Sequence, residues 1–385
     1  MSRVVFEHGL VIGKFYPPHL GHEYLIRTAA AHCRHVTVGV LGSSVESIPM
    51  SQRVAWLRDS FAVRIVAELD DAPIDYDSPT IWDAHEAVIR LAIARADREY
   101  GQAPAVDAVF TSEAYGEELA RRFSAASVCL DQSRSLYPVS GAAVRADPCA
   151  QWLQLSPAVR AGLALRVVVT GAESTGTTTL SRDLAAALRQ RGGIWERTGR
   201  VAELGREISA NLLALARARQ AGAGMEDIIW RSGDFTDIAA EQCRLEEQAA
   251  RCGSPVLVCD TDALATCIWH ERYMGEASAS VARIAEAMPP RALYLLTSDE
   301  GVPFTDDGLR DGEHLRAWMT GRFREQLSAQ KAPWLELRGT PAERLTAALA
   351  AVDETLSKAW RFALPLEQRT ISPENIEKQR SHKCP

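Results

Sequence analysis

The feature that most constrains the fold of this chain is a local unit that occurs twice. Each copy consists of an apolar run, a glycine-rich turn and a helical pattern. The first begins with Leu10–Ile12 and turns at Gly13, and the second begins with Leu165–Thr170 and turns at Gly171. A strand, a tight turn and a helix in this order open a parallel α/β domain. The repetition therefore predicts two such domains in tandem.

The predicted fold class is α/β, with a Rossmann-like parallel-sheet domain followed by a parallel-sheet domain of the P-loop type. The expected boundaries are 1–150 for the first domain, 151–163 for a linker, 164–358 for the second domain and 359–385 for a tail. The tail is polar and shows no clear period, so we predict no regular structure for it.

Composition excludes several function classes. The formal net charge is -7 and no long basic run occurs, which argues against binding of nucleic acid by phosphate neutralisation. No apolar stretch approaches the roughly 20 residues that a membrane helix needs, and the N-terminus lacks the pattern of a signal peptide. The eight cysteines form no Cys-x-x-Cys pair, which is typical of reduced thiols in a cytoplasmic protein.

The first glycine-rich turn leads into a candidate phosphate site. Gly13 follows a strand directly and allows a backbone to approach a ligand closely. His19 and His22, on either side of Gly21, fall at the start of the next helix, where unpaired N–H groups and the helix dipole favour phosphate. Lys14 adds a positive charge. Such a group suits the stabilisation of charge on a transferring phosphoryl group; the alternative is that both histidines only pack against the sheet.

In its context, the segment Gly13–His22 resembles the signature of the nucleotidyltransferases that carry a His-x-Gly-His motif. A second motif of that family is matched by Val139–Arg145, with Ala142 where a threonine is usual. The resemblance implies that Ser140 and Arg145 hold the β- and γ-phosphates of ATP. It implies an ATP site with Gly13, Phe15, Gly21 and Ser140, and a catalytic group of His19, His22, Lys14 and Arg145.

The acceptor of the transferred group is indicated by two further stretches. Asp75–Trp82 and Phe110–Gly116 look like those of the nicotinamide-mononucleotide adenylyltransferases. The resemblance implies that Trp82 and Tyr115 contact nicotinamide mononucleotide. Trp82 has the alternative of being a core aromatic, since aromatic residues more often pack than bind. Another acceptor, such as pantetheine phosphate, is the alternative for the activity.

The second glycine-rich turn fits the Walker A spacing except at one position, where Thr177 replaces the phosphate-binding lysine. The predicted loop residues are Gly171, Ser174, Gly176, Thr177, Thr178 and Thr179. Thr178 holds the position that ligates Mg²⁺. A lost charged contact to phosphate costs roughly 1.5–3 kcal/mol, for which Lys331 or lid arginines are candidate replacements. The alternative is a turn without a ligand.

The second half resembles the kinase domain of the bifunctional nicotinamide-mononucleotide adenylyltransferase and ribosylnicotinamide kinase family. The resemblance implies that Asp260 and Asp262 lie near Mg²⁺, that Asp234 belongs to a riboside-binding stretch, Trp230–Gln242, and that Arg310 belongs to a mobile lid. Members of this family also carry an N-terminal helix-turn-helix, for which the stretch before Val4 is too short.

The resemblance thus implies a bifunctional enzyme that uses ATP, nicotinamide mononucleotide and nicotinamide riboside, with Mg²⁺, to make NAD. An alternative makes the C-terminal half a nucleotide-binding regulatory domain without catalysis, because Thr177 replaces the lysine. The expected partners are small molecules, with neither nucleic acid nor membrane. A homo-oligomer is compatible with the sequence, which does not set the oligomeric state.

Overall fold

The computed structural model describes residues 5–75 and 77–366, and the chain divides into two compact units. The first unit holds the chain up to Val159 and again from Trp360, and the second runs from Arg160 to Ala359. Residues 360–366 thus pack with the first unit, which differs from the prediction of a tail without structure from 359. The rest of that predicted tail, 367–385, lies outside the described residues.

The first unit is built on a five-stranded parallel sheet in the order β3-β2-β1-β4-β5. Its strands are β1 (Phe6–Gly13), β2 (Cys33–Gly42), β3 (Arg64–Leu69), β4 (Ala108–Thr111) and β5 (Ala126–Cys129). The central strand β1 hydrogen-bonds to β2 on one side and β4 on the other, and its Leu10 and Val11 are buried. Such continuous apolar runs are expected where helices cover both faces of a sheet.

Helices cover both faces of this sheet. They are α1 (Leu20–His32), α2 (Met50–Ser60), α3 (Pro79–Tyr100), α4 (Gly116–Phe123) and α5 (Gly141–Ala146), followed by a 3₁₀ turn at Trp152–Gln154. Apolar residues of α1 and α2, including Ile26 and Leu57, form one core cluster with the sheet. Ile89 of α3 and Leu119 of α4 belong to a second cluster. This arrangement confirms the predicted α/β class for the first unit.

The second unit also has a five-stranded parallel sheet, in the order β10-β9-β6-β8-β7. Its strands are β6 (Leu165–Gly171), β7 (Gly199–Val201), β8 (Val256–Asp260), β9 (Arg291–Thr297) and β10 (Trp334–Leu337). The predicted strand that precedes the second glycine-rich turn is β6, and it again occupies the centre of its sheet.

The helices that follow α5 along the chain begin with α6 (Pro157–Leu163), which spans the boundary between the units in sequence. The others are α7 (Thr177–Arg189), α8 (Leu204–Arg219), α9 (Ser232–Cys252), α10 (Ala263–Met274), α11 (Ala279–Ala287), α12 (Arg316–Ala329) and α13 (Pro341–Lys358). Shorter 3₁₀ turns lie at Gly193–Arg197, Met225–Asp227 and Glu313–Leu315.

The core of the second unit follows the alternation of the central strand. Val167 and Val169 pack in one cluster with Leu184 of α7 and Val352 of α13. The intervening Val168 is equally buried, as expected where successive side chains of a strand meet covering layers on opposite faces. Within the described ranges, no helix is both long and apolar enough to span a membrane.

Replacing Gly171 with alanine is expected to destabilise the second unit. A Cβ at this position would lie 2.3 Å from Oγ1 of Thr297 and 2.8 Å from its carbonyl oxygen. Overpacking of this kind costs about 1–3 kcal/mol, which should lower the midpoint of urea unfolding. In the control Gly321→Ala, the Cβ meets no atom within 4 Å on α12, so stability should rise by up to about 1 kcal/mol. An unchanged midpoint for Gly171→Ala would contradict the packing argument.

Candidate functional site

In the first unit, the residues predicted from both motifs line a cavity beyond the carboxyl end of β1. Those that line it are Lys14, Phe15, His19, Gly21, His22, Ser140 and Arg145. Gly13 lines a second, neighbouring cavity, and Lys14 and His22 line both. We call the first the phosphate-side cavity and the second the acceptor-side cavity. The fold therefore brings together two motifs that are far apart in sequence.

The two histidines at the start of α1 form a buried, stacked pair. Their ring centroids lie 3.7 Å apart with an angle of 25° between the rings. The backbone N–H of His19 donates to Nδ1 of His22 at 3.3 Å, so neutral His22 carries its proton on Nε2. Burial lowers the pKa of His22 to about 3 and that of His19 well below its ordinary value. Both rings are therefore neutral imidazoles near pH 7.

The pair also offers an atom that lacks a partner. Nδ1 of His19 is buried and has no hydrogen-bond partner in the part of the chain that the structure describes. A buried polar atom left unpaired is costly, and one in a cavity is typical of a site whose ligand supplies the missing bond. Together with Nε2 of His22, it gives the phosphate-side cavity two imidazole groups for contact with a ligand.

Tyr16 joins the first motif to the second. Arg145 donates from Nη1 to the Tyr16 carbonyl oxygen at 2.6 Å, and its guanidinium carbon lies 4.9 Å from the centroid of the Tyr16 ring. The buried Arg53 lies 4.6 Å from the same centroid and pairs with Glu46 at 2.5 Å. Cations near an aromatic ring in these positions are attracted by its quadrupole. Arg145 is thus positioned by the first motif.

The second motif begins α5. Oγ of Ser140 caps this helix by accepting from the backbone N–H of Ala143 at 3.1 Å, so its own O–H is left as a donor. A Cβ at Gly141 would lie 3.0 Å from the Tyr16 carbonyl oxygen, which explains why glycine stands at the contact between the motifs. Ala142, at the usual threonine position, lines the phosphate-side cavity.

The acceptor-side cavity contains both residues predicted for the mononucleotide, Trp82 and Tyr115. Trp82 is only 7% exposed and belongs to the core cluster with Leu10 and Ile89. It is therefore a core aromatic that also contributes to the wall of the cavity. The guanidinium of Arg122 lies 5.5 Å from a Trp82 ring centroid, which helps to fix the orientation of the indole.

The sequence did not reveal an ion pair in the acceptor-side cavity. Nδ1 of His85 lies 2.7 Å from a carboxylate oxygen of Asp70, and its Nε2 lies 3.1 Å from the Pro73 carbonyl oxygen. Because both partners only accept, both ring nitrogens carry hydrogen and His85 is an imidazolium. The hydrogen bond to Asp70 raises the pKa of His85 accordingly. Asp70 follows β3 and His85 lies on α3, so no local motif links them.

A second pair that the sequence did not reveal lies in the phosphate-side cavity, where Arg134 donates to Glu113 at 2.7 Å. The positive charge of Arg134 contributes to the lowered pKa of both His19 and His22. The cavity therefore has a cationic wall in addition to the predicted Lys14 and Arg145. Such a wall suits a polyphosphate.

In the second unit, the predicted loop lines a cavity beyond the carboxyl end of β6. Gly171, Ser174, Thr177 and Thr178 line it. Gly176 caps the start of α7 with a φ of 90°, and Ser174 has a φ of 58°; the left-handed conformation at Gly176 is one that glycine adopts without strain. Thr179 is exposed and does not line the cavity. Gly176 does not line it either, and the assignment of both residues to a phosphate-binding loop stays a prediction.

Thr178 and Asp260 form a fitting pair for Mg²⁺. Burial raises the pKa of the Asp260 carboxyl, and the nearby Thr178 hydroxyl lowers it. Thr178 lines the cavity, whereas Asp260 lies beside the loop and does not line it. One oxygen of Asp260 accepts from Arg200 at 2.6 Å, and the other, Oδ1, is buried without a hydrogen-bond partner among the described residues. Mg²⁺ is often held by one or two carboxylates together with substrate phosphates. No cluster of three or more His, Cys, Asp or Glu suited to a metal occurs in residues 5–75 and 77–366.

The prediction that Asp262 lies at the same site is wrong. Oδ1 of Asp262 accepts from the backbone N–H groups of Leu264 and Ala265 and so caps α10. Oδ2 accepts from Arg291 at 3.1 Å and from the Tyr294 hydroxyl at 2.8 Å. Both oxygens are engaged in the core of the unit, and Asp262 does not line the cavity. The carboxylate acts as a helix cap, which is a common use of aspartate at this position.

Asp234 is likewise absent from the cavity lining. Its Oδ2 accepts from the backbone N–H of Arg231 at 2.8 Å, at the start of α9. The predicted riboside-binding stretch contributes other residues instead. Trp230, Phe235 and Gln242 line the cavity, and riboside binding by this stretch stays a prediction.

One end of this cavity is an aromatic group with unpaired polar atoms. The Trp230 ring lies 5.1 Å from that of Phe235 and 5.3 Å from that of Tyr273. Nε1 of Trp230 and Nε2 of Gln242 are buried without hydrogen-bond partners in the described ranges. An aromatic wall with a few unsatisfied donors is typical of a site for a flat polar ring. No sequence signal distinguishes Tyr273, because its spacing on α10 is that of an ordinary core position.

Glu203 and Arg206 are the main residues of this site that the sequence did not reveal. Both line the cavity and follow β7. This strand has only three residues, and no apolar run in the sequence predicts it. Burial, together with the nearby carboxylates of Asp260 and Glu173, raises the pKa of Glu203 to about 8. A carboxyl group with such a pKa in a cavity is a candidate for acid–base chemistry.

The predicted lid lies against the loop. Arg310 lines the cavity, and its Nη1 donates to Oγ of Ser174 at 3.3 Å. The backbone N–H of Thr305 donates to the same oxygen at 2.8 Å, and Asp307 pairs with Arg206. Lys331 is exposed and does not line the cavity. Arg206 and Arg310 are therefore cations that line the same cavity as Thr177.

Comparisons with known proteins agree with this division. Residues 166–344 match the AAA domain family. The chain is 27% identical over 319 residues, covering 78% of this chain and 71% of the relative, to the trifunctional NAD biosynthesis/regulator protein NadR of Escherichia coli strain K12. The Salmonella typhimurium protein of the same name is 26% identical over the same coverage.

Two solved structures share the fold over almost the whole chain. A NadR protein in complex with NR has a TM-score of 0.59 and 18% identity, and covers 93% of this chain and 98% of its own. A NadR protein in complex with NAD and AMP-PNP has a TM-score of 0.60 and 19% identity, and covers 95% and 99%. These likenesses confirm the fold class of both units.

The stability of this chain is expected to fall as pH is lowered from about 6.5, because of His22. The unfolded chain protonates this residue near its ordinary value of 6.5, whereas the folded state, with a pKa of about 3, does not. Between these values the unfolded state binds the additional proton, so His22 contributes a loss of up to about 1.4 kcal/mol per pH unit. Urea unfolding of wild type and His22→Asn at pH 7 and pH 5 measures this contribution.

Measured relative to wild type, the free energy of unfolding of His22→Asn should be higher at pH 5 than at pH 7. The control His314→Asn, at an exposed position, should show no such change. If the difference were the same at both pH values, the prediction that His22 is a buried, neutral imidazole would be wrong.

Proposed function

We propose, from the premise that this chain is a homologue of the NadR proteins, that it is an enzyme of NAD biosynthesis with two activities. The first unit transfers the adenylyl group of ATP to nicotinamide mononucleotide. The second phosphorylates nicotinamide riboside to that mononucleotide. The observation that carries the proposal is the junction of two cavities at His22 and Lys14, one with a cationic wall and one with an aromatic wall.

The chemistry in the first unit is a direct transfer. A phosphate oxygen of the mononucleotide attacks the α-phosphorus of ATP, the bond between that phosphorus and the bridging oxygen breaks, and pyrophosphate leaves. His22 and Lys14 line both cavities and so stand where the two substrates meet. The Nε2–H of His22 and the Lys14 ammonium stabilise charge on the transferring group, and Arg145 binds the leaving phosphates.

The chemistry in the second unit needs a base. The 5′-hydroxyl of the riboside attacks the γ-phosphorus of ATP, its proton passes to the Glu203 carboxylate, and ADP leaves. Glu203 lines the cavity together with Trp230 and Gln242, and its raised pKa makes it a competent proton acceptor. Thr178 and Asp260 would hold Mg²⁺, which neutralises phosphate charge when bound.

The replacement of the loop lysine by Thr177 is compatible with catalysis because other cations surround the loop. Arg206 and Arg310 line the cavity. Arg316 donates to the Ser174 carbonyl oxygen at 3.4 Å, and Arg344 donates to that of Thr175 at 2.8 Å. Arg316 and Arg344 fix the backbone of the loop, while Arg206 and Arg310, both paired with Asp307, would exchange that carboxylate for phosphate. Thr177 itself favours the alternative of a nucleotide-binding regulatory domain without catalysis.

Two variants should separate the activities when NAD is quantified from Mg-ATP with either riboside or mononucleotide. Wild type should make NAD from both. His19→Ala should lose NAD formation from both but still accumulate mononucleotide from the riboside. Glu203→Gln should lower only the riboside reaction, by about 10²–10⁴-fold, the usual contribution of a general base. The control Glu207→Gln, at an exposed position on α8, should behave as wild type.

If wild type makes NAD only from the mononucleotide, the second unit is the regulatory domain. If the mononucleotide gives no NAD while another phosphate ester, such as pantetheine phosphate, is adenylylated, the proposed acceptor is wrong.

Restoring the lysine tests whether the arginines already supply the missing charge. In Thr177→Lys, the kinase rate should change by less than about threefold, equivalent to under 1 kcal/mol of transition-state stabilisation. A rise of about tenfold or more would instead indicate a silenced site, as the regulatory alternative requires. Gln190→Lys adds the same charge at the exposed end of α7 and controls for the change in net charge.

A further inference from the structure

After the second unit, the chain returns to the first unit as a segment that we call the C-terminal strap, Trp360–Leu366. Its aromatic residues are docked on named partners. The Trp360 ring lies 6.1 Å from that of the fully buried Trp152, and the Phe362 ring meets that of Tyr16 edge-on at 6.0 Å. The strap is therefore packed against the first unit at two points, and one of them is a residue of the His-x-Gly-His segment.

The backbone of the strap is fixed between these points. The Tyr16 hydroxyl donates to the carbonyl oxygen of Ala363 at 3.0 Å, and the N–H of Ala363 donates to Oγ of Ser47 at 3.2 Å. The Tyr16 and Ser47 hydroxyls also lie 2.7 Å apart. Both backbone polar groups of Ala363 are thus satisfied by side chains of the first unit, so the position of the strap is set by directional bonds as well as by packing.

The strap ends in the acceptor-side cavity. Leu366 lines this cavity together with Trp82, Leu41 and Ile74. It is absent from the residues that line the phosphate-side cavity. Leu364, two residues earlier, is 56% exposed and lines neither cavity. The strap therefore offers two leucines, one within the acceptor site and one outside it.

We propose that Leu366 is an acceptor-determining residue of the adenylyl transfer, contacting the ring of the mononucleotide. This proposal rests on the proposed function of the first unit. The charged groups of the cavity, Lys14 and His22, are suited to the phosphate of the acceptor, and its apolar wall of Trp82 and Leu366 is suited to the aromatic ring. The last residue of the C-terminal strap, Leu366, is consequently part of the acceptor-side site.

The contact predicts a selective effect on one substrate. In Leu366→Ala, the KM for nicotinamide mononucleotide should rise about tenfold, the usual effect of lost apolar contact in a specificity pocket. The KM for ATP should stay within about twofold, because Leu366 does not line the phosphate-side cavity. Leu366→Met, which restores apolar volume, should recover the wild-type KM. Leu364→Ala is the matched control and should leave both KM values unchanged.

Steady-state kinetics on the full chain tests this role of Leu366, and melting temperatures check that all variants are folded. The proposal fails if Leu366→Ala leaves the KM for the mononucleotide unchanged, if Leu364→Ala raises it equally, or if the KM for ATP rises in parallel. Calorimetric titration with nicotinamide mononucleotide separates this failure from failure of the proposed function. If wild type forms no NAD yet binds the mononucleotide more tightly than Leu366→Ala, the strap proposal stands alone, and equal or absent binding overturns it.

Discussion

The structure of each unit depends on the position of one strand. β1 and β6 are each the central strand of a five-stranded sheet and hydrogen-bond to parallel neighbours on both sides. In each sheet, later strands of the chain lie on both sides of this strand, so that a crevice opens beyond its carboxyl end. Ligands of open α/β sheets bind in such a crevice. The glycine-rich turns follow these two strands directly. The location of both sites is therefore a consequence of sheet order.

In the first unit, Tyr16 connects segments that are distant in sequence. Its ring lies close to the guanidinium groups of Arg53 and Arg145, its carbonyl oxygen accepts from Arg145, and its hydroxyl donates to Ala363 of the C-terminal strap. The hydroxyl also meets Ser47. One side chain thus couples the cation of the phosphate-side cavity to the segment that ends in the acceptor-side cavity.

The two sites handle charge by different means. In the first, burial keeps His19 and His22 neutral, and the positive charge comes from lysine and arginine around them. In the second, burial raises the pKa of the carboxyl groups of Glu203 and Asp260, and arginines line the cavity beside a loop that has no lysine. Desolvation disfavours the charged form in both cases. It keeps the imidazoles of the first site neutral and makes the carboxylates of the second site more basic.

The sequence by itself determined the two-domain α/β class, the central strands, the glycine-rich turns and the residues of both motifs, because each is encoded by contiguous residues with fixed local geometry. His19, His22, Arg145 and Thr178, all singled out from the sequence, line cavities in the structure. Only the tertiary structure decided that Asp260 lies at the loop while Asp262, two residues later, caps α10 in the core. A strand end and a helix start point neighbouring carboxylates in different directions, and no periodicity in the sequence shows which of them lies beside the loop.

Likewise, only the tertiary structure revealed Glu203, the pair of Asp70 with His85, and Leu366. Each enters its site from an element whose own sequence is unremarkable: a three-residue strand, a helix face and a segment predicted to lack structure. Membership of these sites depends on contacts between residues far apart in the chain. Local sequence fixes backbone conformation, whereas burial, and with it the pKa and the role of a side chain, is set by the elements that pack around it.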